Sequence, residues 1–242
     1  MTGTTLPLLC CAFITITEPE EPRFGYLDQP AYSVDKQRRG PSLPYQPQAG
    51  DVLLLSNTNL VWSFAYFLSG TGSPGHSGLV ACMNDGKLGL LEAGYNEEPW
   101  VRFTPLDERL RNYPGTIWVR RRKAAIDDVQ SKILTYYGNA IDGKRYGVVR
   151  LLGQLTPFRS RGPCRTEFIG KPRGIRSSYI CSEAVLEGLV MARLLDFETT
   201  RPAATYPRDM FFDESPNRYI SAHLPLAFDW EVPALWKIAP AP

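Results

Sequence analysis

The sequence predicts an α+β fold, in which helices accompany a mixed or antiparallel sheet. The segment 76–93 reads as two strands joined by a turn, and 100–103 and 116–120 alternate well enough to be further strands. Apolar residues then recur at three- and four-residue spacing over 126–140, as they do in an amphipathic helix. Strand and helix patterns that occupy separate stretches of chain are typical of α+β proteins.

The composition fits one globular domain and gives no sign of a nucleic-acid partner. The 242 residues are 43% hydrophobic and 21% charged, with a net charge of +2. A charge so close to balance is too small to imply binding to a polyanion. The five cysteines form no CxxC pair and no metal-type spacing with the only two histidines, His76 and His223. We therefore expect neither a metal nor another cofactor.

Residues 1–48 are predicted to form an extended surface arm, ahead of a hydrolase domain at 49–242. From residue 18 to the end of the arm the chain is rich in Pro, Gln, Arg and Glu and shows no periodicity. The apolar run 6–14 is too short to span a bilayer and lacks a preceding Lys or Arg, so it is not a convincing export signal. A degraded signal and a first strand remain alternatives for it. The compartment, cytoplasmic or exported, is left open.

The domain begins with a strand and a helix that lead to His76. A turn at 50–51 precedes the apolar strand 52–55. Residues 59–69 predict a helix rich in aromatic side chains, which are expected in the core because such clusters usually are. The loop after this helix delivers the histidine to the start of the hairpin.

The hairpin brings a carboxylate near His76 in one of two possible registers. If its loop holds three residues with Gly86 in the left-handed conformation, Glu92 lies opposite Gly78 and on the face of His76. A two-residue turn would place Glu92 opposite Leu79, because a one-residue slip exchanges the two faces of a strand. The catalytic interpretation requires the three-residue loop.

Later segments add short helices and a basic loop. Helices are predicted near 106–110 and 146–155, and a turn near 206–210 leads into a short helical piece. The C-terminus is rich in Pro and Trp and is expected to wrap the core as coil. The loop 159–176 contains six basic residues: Arg159, Arg161, Arg165, Lys171, Arg173 and Arg176. A solvated charged face is the simpler interpretation, and a lid that recruits an anionic substrate or a membrane surface is the functional one.

Residues 177–190 predict a buried helix that begins at Cys181. Small hydroxyl residues precede the cysteine, and Glu183 and Glu187 suit the positive end of a helix dipole. The free N–H groups of a first helical turn stabilise a thiolate and can also hold an oxyanion. A core cysteine is the alternative, because cysteine is among the most often buried residue types.

Several short motifs, taken in chain order, resemble the circularly permuted branch of the NlpC superfamily of papain-like cysteine peptidases, the YiiX/YebB-like group. Each motif is weak alone, but their order and their expected secondary structure together are fairly specific. The matching pieces span roughly 50–209 and are Gly50-Asp51, His76-Ser77-Gly78-Leu79-Val80, Leu91-Glu92-Ala93, Tyr179-Ile180-Cys181-Ser182-Glu183 and Pro207-Arg208-Asp209-Met210.

The resemblance implies a permuted papain-like α+β fold, with an antiparallel sheet packed against the cysteine helix. It implies that Cys181 is the nucleophile, His76 the base and Glu92 the group that orients the base. We therefore expect a cysteine hydrolase that cleaves amide bonds in small peptides, such as those of bacterial cell wall, through a thioester. A lipid acyltransferase or thioesterase of the same superfamily is one alternative, and an inactive binding module is the other.

Overall fold

The computed structural model describes residues 23–28, 40–56, 72–94, 98–154, 156, 159–162 and 165–239. Within this part of the chain the fold is α+β, as the sequence predicts. One sheet of eight strands, each antiparallel to its neighbours, forms the centre, and two strands of two residues form a separate parallel pair.

The strands of the large sheet follow the order β2-β1-β10-β7-β3-β4-β5-β6. Their bounds, with those of the small pair β8 and β9, are β1 Tyr26–Asp28, β2 Ser42–Pro44, β3 Val52–Ser56, β4 His76–Cys82, β5 Leu88–Ala93, β6 Val101–Pro105, β7 Thr116–Arg120, β8 Arg145–Tyr146, β9 Ser178–Tyr179 and β10 Ala234–Lys237.

Six helices are found in the described part of the chain. Their bounds are α1 Leu106–Asn112, α2 Asp128–Ile141, α3 Val148–Gly153, α4 Cys181–Met191, α5 Pro207–Phe212 and α6 Arg218–Ala222. All the helices predicted after His76 are therefore found, with ends shifted by a few residues. The aromatic helix predicted at 59–69 lies outside the described residues.

The hairpin β4–β5 has the three-residue loop. Gly78 pairs with Glu92, and the Met83 N–H donates to the Lys87 carbonyl at 2.8 Å. Gly86 has a φ of 80°, the left-handed conformation that a side chain disfavours. The predicted register is confirmed, and the carboxylate of Glu92 therefore shares a face with His76.

Helices cover both faces of the sheet. Successive side chains of a strand point to opposite faces, so Leu79 packs in the core with α2 and α4, whereas Val80 packs on the other side with α1. Helix α4 approaches β4 closely at Gly188, where an added Cβ would lie 2.9 Å from side-chain atoms of Leu79 and Tyr137. The cysteine helix is thus held at a fixed distance from the strand that carries His76.

The segment predicted as an extended surface arm, residues 1–48, contributes two strands to the sheet. Strand β1 pairs with β2 and β10, and Leu27 and Tyr45 are buried. Three-residue strands are too short to show a period in the sequence, and pairing with a neighbouring backbone stabilises them. The apolar run 6–14 lies outside the described residues. The division of the chain at residue 48 stays a prediction.

The C-terminal segment is not coil throughout, which corrects the sequence-based expectation. Residues 234–237 form β10, between β1 and β7. Four residues flanked by Pro and irregular chain give no alternation long enough to indicate a strand. Among the described helices, none has the length and apolar character needed to cross a membrane.

Candidate active site

Helix α4 begins at Cys181, as the sequence predicts. Ile180 precedes it in extended conformation, and its N–H donates to Glu183 Oε2 at 2.9 Å. Because Cys181 is the first residue of the helix, its own N–H has no acceptor within the helix. The side chain is buried, and its Sγ lies 3.9 Å from the Gly75 carbonyl oxygen. A thiol and a free N–H therefore stand together at this helix start.

His76, the first residue of β4, links this thiol to a carboxylate. Its Nε2 lies 2.8 Å from Glu92 Oε2, and both side chains are buried. The thiol of Cys181 approaches the carbonyl of Gly75, which precedes His76 directly, and this thiol raises the pKa of the imidazole. Since Nε2 is engaged by the carboxylate, Nδ1 is the ring nitrogen left for the thiol. The structure thus brings together the three residues that the sequence predicts for the site.

The surroundings of His76 favour its protonated form. Burial alone would lower the pKa of this imidazole, but hydrogen bonding and charge interactions with Cys181 and Glu92 outweigh burial and raise the pKa to about 9. An imidazole with such a pKa holds a proton at neutral pH. The group is therefore able to keep the proton that a thiol releases when it becomes a thiolate.

Arg109 on α1 is a member of the site that sequence reasoning missed. Its Nε lies 2.6 Å from Glu92 Oε1 and its Nη2 lies 3.0 Å from Oε2. The guanidinium is 3% exposed and lies 4.8 Å from the ring centroid of Tyr113. A signal was present, because Arg109 stands between the buried Leu106 and Leu110 at spacings that place it near the same helix face.

Two cationic side chains, His76 and Arg109, stabilise the negative charge of Glu92. Complete burial would raise the pKa of this carboxyl, but His76 and then Arg109 outweigh that effect and lower the pKa. The carboxylate therefore stays ionised although it is 0% exposed. An ionised Glu92 with both oxygens bonded is able to hold one orientation of the imidazole.

Cys82 and His223 contact groups away from the candidate site. Cys82 ends β4, at the opposite end from His76, and the Ser131 hydroxyl lies 3.8 Å from its sulfur. His223 is exposed, and its Nδ1 lies 2.9 Å from the Tyr219 carbonyl oxygen. Neither belongs to the group around Cys181. The cysteines at positions 10, 11 and 164 lie outside the described residues.

Asp51, part of the first matching motif, has contacts that tie strands together. Its carboxylate accepts from the Tyr45 hydroxyl at 3.0 Å, the Gln48 N–H at 3.1 Å and the Arg122 N–H at 2.8 Å. Burial raises the pKa of this carboxyl to about 6. The three bonds join the start of β3 to the chain after β7, so the role of Asp51 is in the fold.

The last motif also has a structural contact. Asp209 Oδ2 accepts from the Tyr206 N–H at 2.8 Å and Oδ1 accepts from Arg161 Nη2 at 2.6 Å. Arg161 is buried, so this member of the basic loop is not part of a solvated face. Within the described chain, no three His, Cys, Asp or Glu side chains are grouped so that they could hold a metal ion.

Comparison with known proteins finds similar chains among the solved structures. No protein-family model matches the sequence, and no curated protein sequence matches it. The chain is similar to the crystal structure of the metalloprotein yiiX from Escherichia coli O157:H7, DUF1105, with a TM-score of 0.42 and 20% sequence identity. The match covers 78% of this chain and 89% of that chain.

Proposed function

We propose that the protein is a cysteine hydrolase that cleaves amide bonds in small peptides through a thioester intermediate. The observation that carries this proposal is the buried line from Cys181 through His76 to Glu92, which Arg109 completes. A cysteine that only fills a core has no need of an imidazole beside it or of a buried carboxylate behind that imidazole. A nucleophile, a base and an orienting group in contact are the parts of a thiol hydrolase.

Acylation begins with the proton of Cys181 on the imidazole of His76. The thiolate sulfur attacks the amide carbonyl carbon, and the C=O electron pair moves onto oxygen. The N–H of Cys181, free within its helix, is one donor for this oxyanion. The intermediate collapses when the C–N bond breaks, and the imidazolium gives its proton to the leaving amine. The acyl group is then held as a thioester.

Deacylation uses the same groups in the reverse direction. His76, now neutral, takes a proton from water as the water oxygen attacks the thioester carbon. Collapse of this second intermediate breaks the C–S bond, releases the carboxylic acid and restores the thiolate beside the imidazolium. The carboxylate of Glu92 stays ionised throughout, since its task is to hold the ring and to stabilise its positive charge.

Thiol labelling tests the activated cysteine without knowledge of the substrate. We expect an iodoacetamide probe at mildly acidic pH to label Cys181 faster than Cys82 and Cys164. Solvent exposure alone predicts that Cys82 is labelled faster than Cys181, because Cys181 is buried and Cys82 is half-buried. A His76→Ala variant should lose the fast labelling. Equal labelling of all three cysteines would favour the inactive binding module.

Product analysis tests the reaction class. The wild-type chain is incubated with short peptides, among them cell-wall-type peptides, and in parallel with acyl esters and phospholipids. We expect new peptide amines and a mass increase at Cys181 in an acid-quenched sample, with neither in the Cys181→Ala control. Acyl transfer or fatty-acid release from lipids, without peptide cleavage, would replace this proposal with the acyltransferase or thioesterase alternative.

A further inference from the structure

A cavity lies on the other side of the cysteine helix from Cys181. It encloses about 290 Å³ between α3, residues 159–160 and 169–176, and α4. Glu183 and Glu187 of α4 line it, and these residues share one helix face because they are four positions apart. Cys181 precedes Glu183 by two positions and therefore lies about half a turn away around the helix. The three residues of the proposed active site do not line this cavity.

Cationic side chains surround the cavity in excess over carboxylates. Five basic residues line it: Arg150, Arg159, Lys171, Arg173 and Arg176. Arg150 is paired with Glu183 at 2.7 Å, and Arg176 lies 3.2 Å from Glu187. Lys171 is paired with Glu198, outside the cavity, at 2.7 Å.

The other two basic side chains of the cavity, Arg159 and Arg173, have no carboxylate partner within the described chain. Within the described chain, Arg159 and Arg173 form no ion pair and no side-chain hydrogen bond, and both side chains are exposed to the solvent. The two carboxylates of the cavity already have other partners. Glu183 is paired with Arg150, and Glu187 accepts from the backbone N–H groups of Arg173 and Gly174 at 2.8–3.0 Å. Two positive charges of the cavity lining are therefore available to a ligand.

Donors inside the cavity wall also exceed acceptors. Among the described residues, three buried donor atoms of the lining have no hydrogen-bond partner, Arg150 Nε and Arg176 Nε and Nη2, against one buried acceptor atom, Glu183 Oε1. Guanidinium groups match phosphate oxygens well, because their planar donors bind two oxygens at once. A phosphate monoester offers several acceptor oxygens and close to two negative charges at neutral pH. Its two negative charges would balance the two positive charges of Arg159 and Arg173.

Part of the cavity lining is apolar. Val149 is 83% exposed and Ile169 is 41% exposed, and both line the cavity together with Ala203. An inorganic ion would gain nothing from these side chains, whereas an apolar group attached to the phosphate would bury their surface. We propose that this cavity binds the phosphate group of a molecule whose body is partly apolar, either a soluble phosphate ester or a phospholipid presented by a membrane.

Calorimetric titration of the full chain tests this site independently of catalysis. The soluble probes are inorganic phosphate, short-chain dihexanoyl phosphatidic acid and octanoate, a carboxylate of similar size. Phosphatidylcholine vesicles with and without phosphatidic acid form the second arm. The variant is Arg159→Gln/Arg173→Gln, and the matched control is Lys132→Gln, which removes an exposed charge from α2. Thermal melts confirm that each variant is folded.

We expect the soluble phosphatidic acid to bind more tightly than inorganic phosphate or octanoate. The double variant should weaken this binding on the order of tenfold or more, and the Lys132→Gln and Cys181→Ala variants should leave it unchanged. Binding to phosphatidic acid vesicles alone, with the same dependence on the variants, would identify the membrane as the source. Three outcomes would overturn the proposal. They are the absence of binding in both arms, binding of octanoate as tight as that of the phosphatidic acid, and a double variant that binds like the wild type.

Discussion

The guanidinium of Arg109 contacts both carboxylate oxygens of Glu92, at 2.6 Å and 3.0 Å, in a place where neither side chain meets solvent. A carboxylate bound at both oxygens cannot rotate freely, so Oε2 stays directed at the imidazole of His76. Arg109 is thus a positioning residue for the proposed hydrolase, although it is not expected to touch the substrate.

Replacing Arg109 by Met should reduce both stability and turnover. The change leaves the charge of Glu92 buried with less compensation, and breaking a buried pair in this way costs about 3–5 kcal/mol. Urea unfolding measures the free energy, and peptide hydrolysis measures kcat. The double variant Arg109→Met/Glu92→Gln should regain stability without regaining turnover. Equal turnover in Arg109→Met and wild type would show that the contact serves the fold alone.

The Glu92→Ala variant is expected to lose less activity than His76→Ala. An orienting group commonly contributes less than the base that it orients, because the base still samples the reactive position without it. Steady-state kinetics of the two variants under the same conditions check this order. A Glu92→Gln variant controls for the loss of stability that truncation at a buried ion pair brings. The reverse order of activities would contradict the assignment of the base.

The Cys181→Ser variant should lose turnover by on the order of a thousandfold or more. The hydroxyl keeps the shape of the side chain, but the same imidazole deprotonates it poorly, so a covalent intermediate forms slowly. The thermal melting temperature should stay close to the wild-type value. Near-full hydrolysis by this variant would exclude the thioester mechanism.

Activity and stability should both fall at alkaline pH. The pKa of His76 in the folded chain, about 9, is raised above the ordinary value of about 6.5, so this imidazole keeps its proton to a higher pH in the folded chain than in the unfolded chain. The stabilisation is fully present below about pH 6.5 and is lost as the pH rises through about 9. The proposed reactive form, thiolate beside imidazolium, is lost over the same upper range. The advantage in unfolding free energy over His76→Gln should therefore shrink with rising pH, and a pH-independent difference would contradict this.

A Gly188→Ala substitution should loosen the attachment of the cysteine helix to the sheet. The added methyl would lie 2.9 Å from Leu79 and Tyr137, and such overpacking costs about 1–3 kcal/mol, partly offset by the better helix propensity of Ala. Gly153→Ala is the matched control, because an added Cβ there meets no atom within 4 Å. We expect lower stability and turnover in Gly188→Ala but not in Gly153→Ala. Equal stability and turnover of the two variants would show that α4 shifts to accept the added methyl.

Much of the hairpin and of the candidate site was predictable, because local chemistry determines both. A three-residue loop with Gly86 at a left-handed position sets the pairing of Glu92, and the strand period then sets its face. Cys181 at a helix start follows from the residues around it. Whether these groups perform the proposed chemistry stays a prediction.

Other features depend on contacts that a local pattern does not contain. Arg109 joins the site only because α1 packs on the sheet face that bears Glu92. Strands β1, β2 and β10 have three or four residues each, and β10 pairs with strands that are remote in sequence. Such strands are formed by the tertiary structure, so their own residues give little indication of them.

The position of β10 in the sheet imposes an order on assembly. Strand β1 pairs only with β2 and β10 among the described strands, and β10 alone connects this pair to β7. During synthesis, residues 26–28 therefore leave the ribosome long before their place in the sheet exists. The strands β7-β3-β4-β5-β6, with His76 and Glu92 among them, are able to assemble first. The early segment can join only after residues 234–237 have emerged, so a chain halted before them would lose both of its early strands.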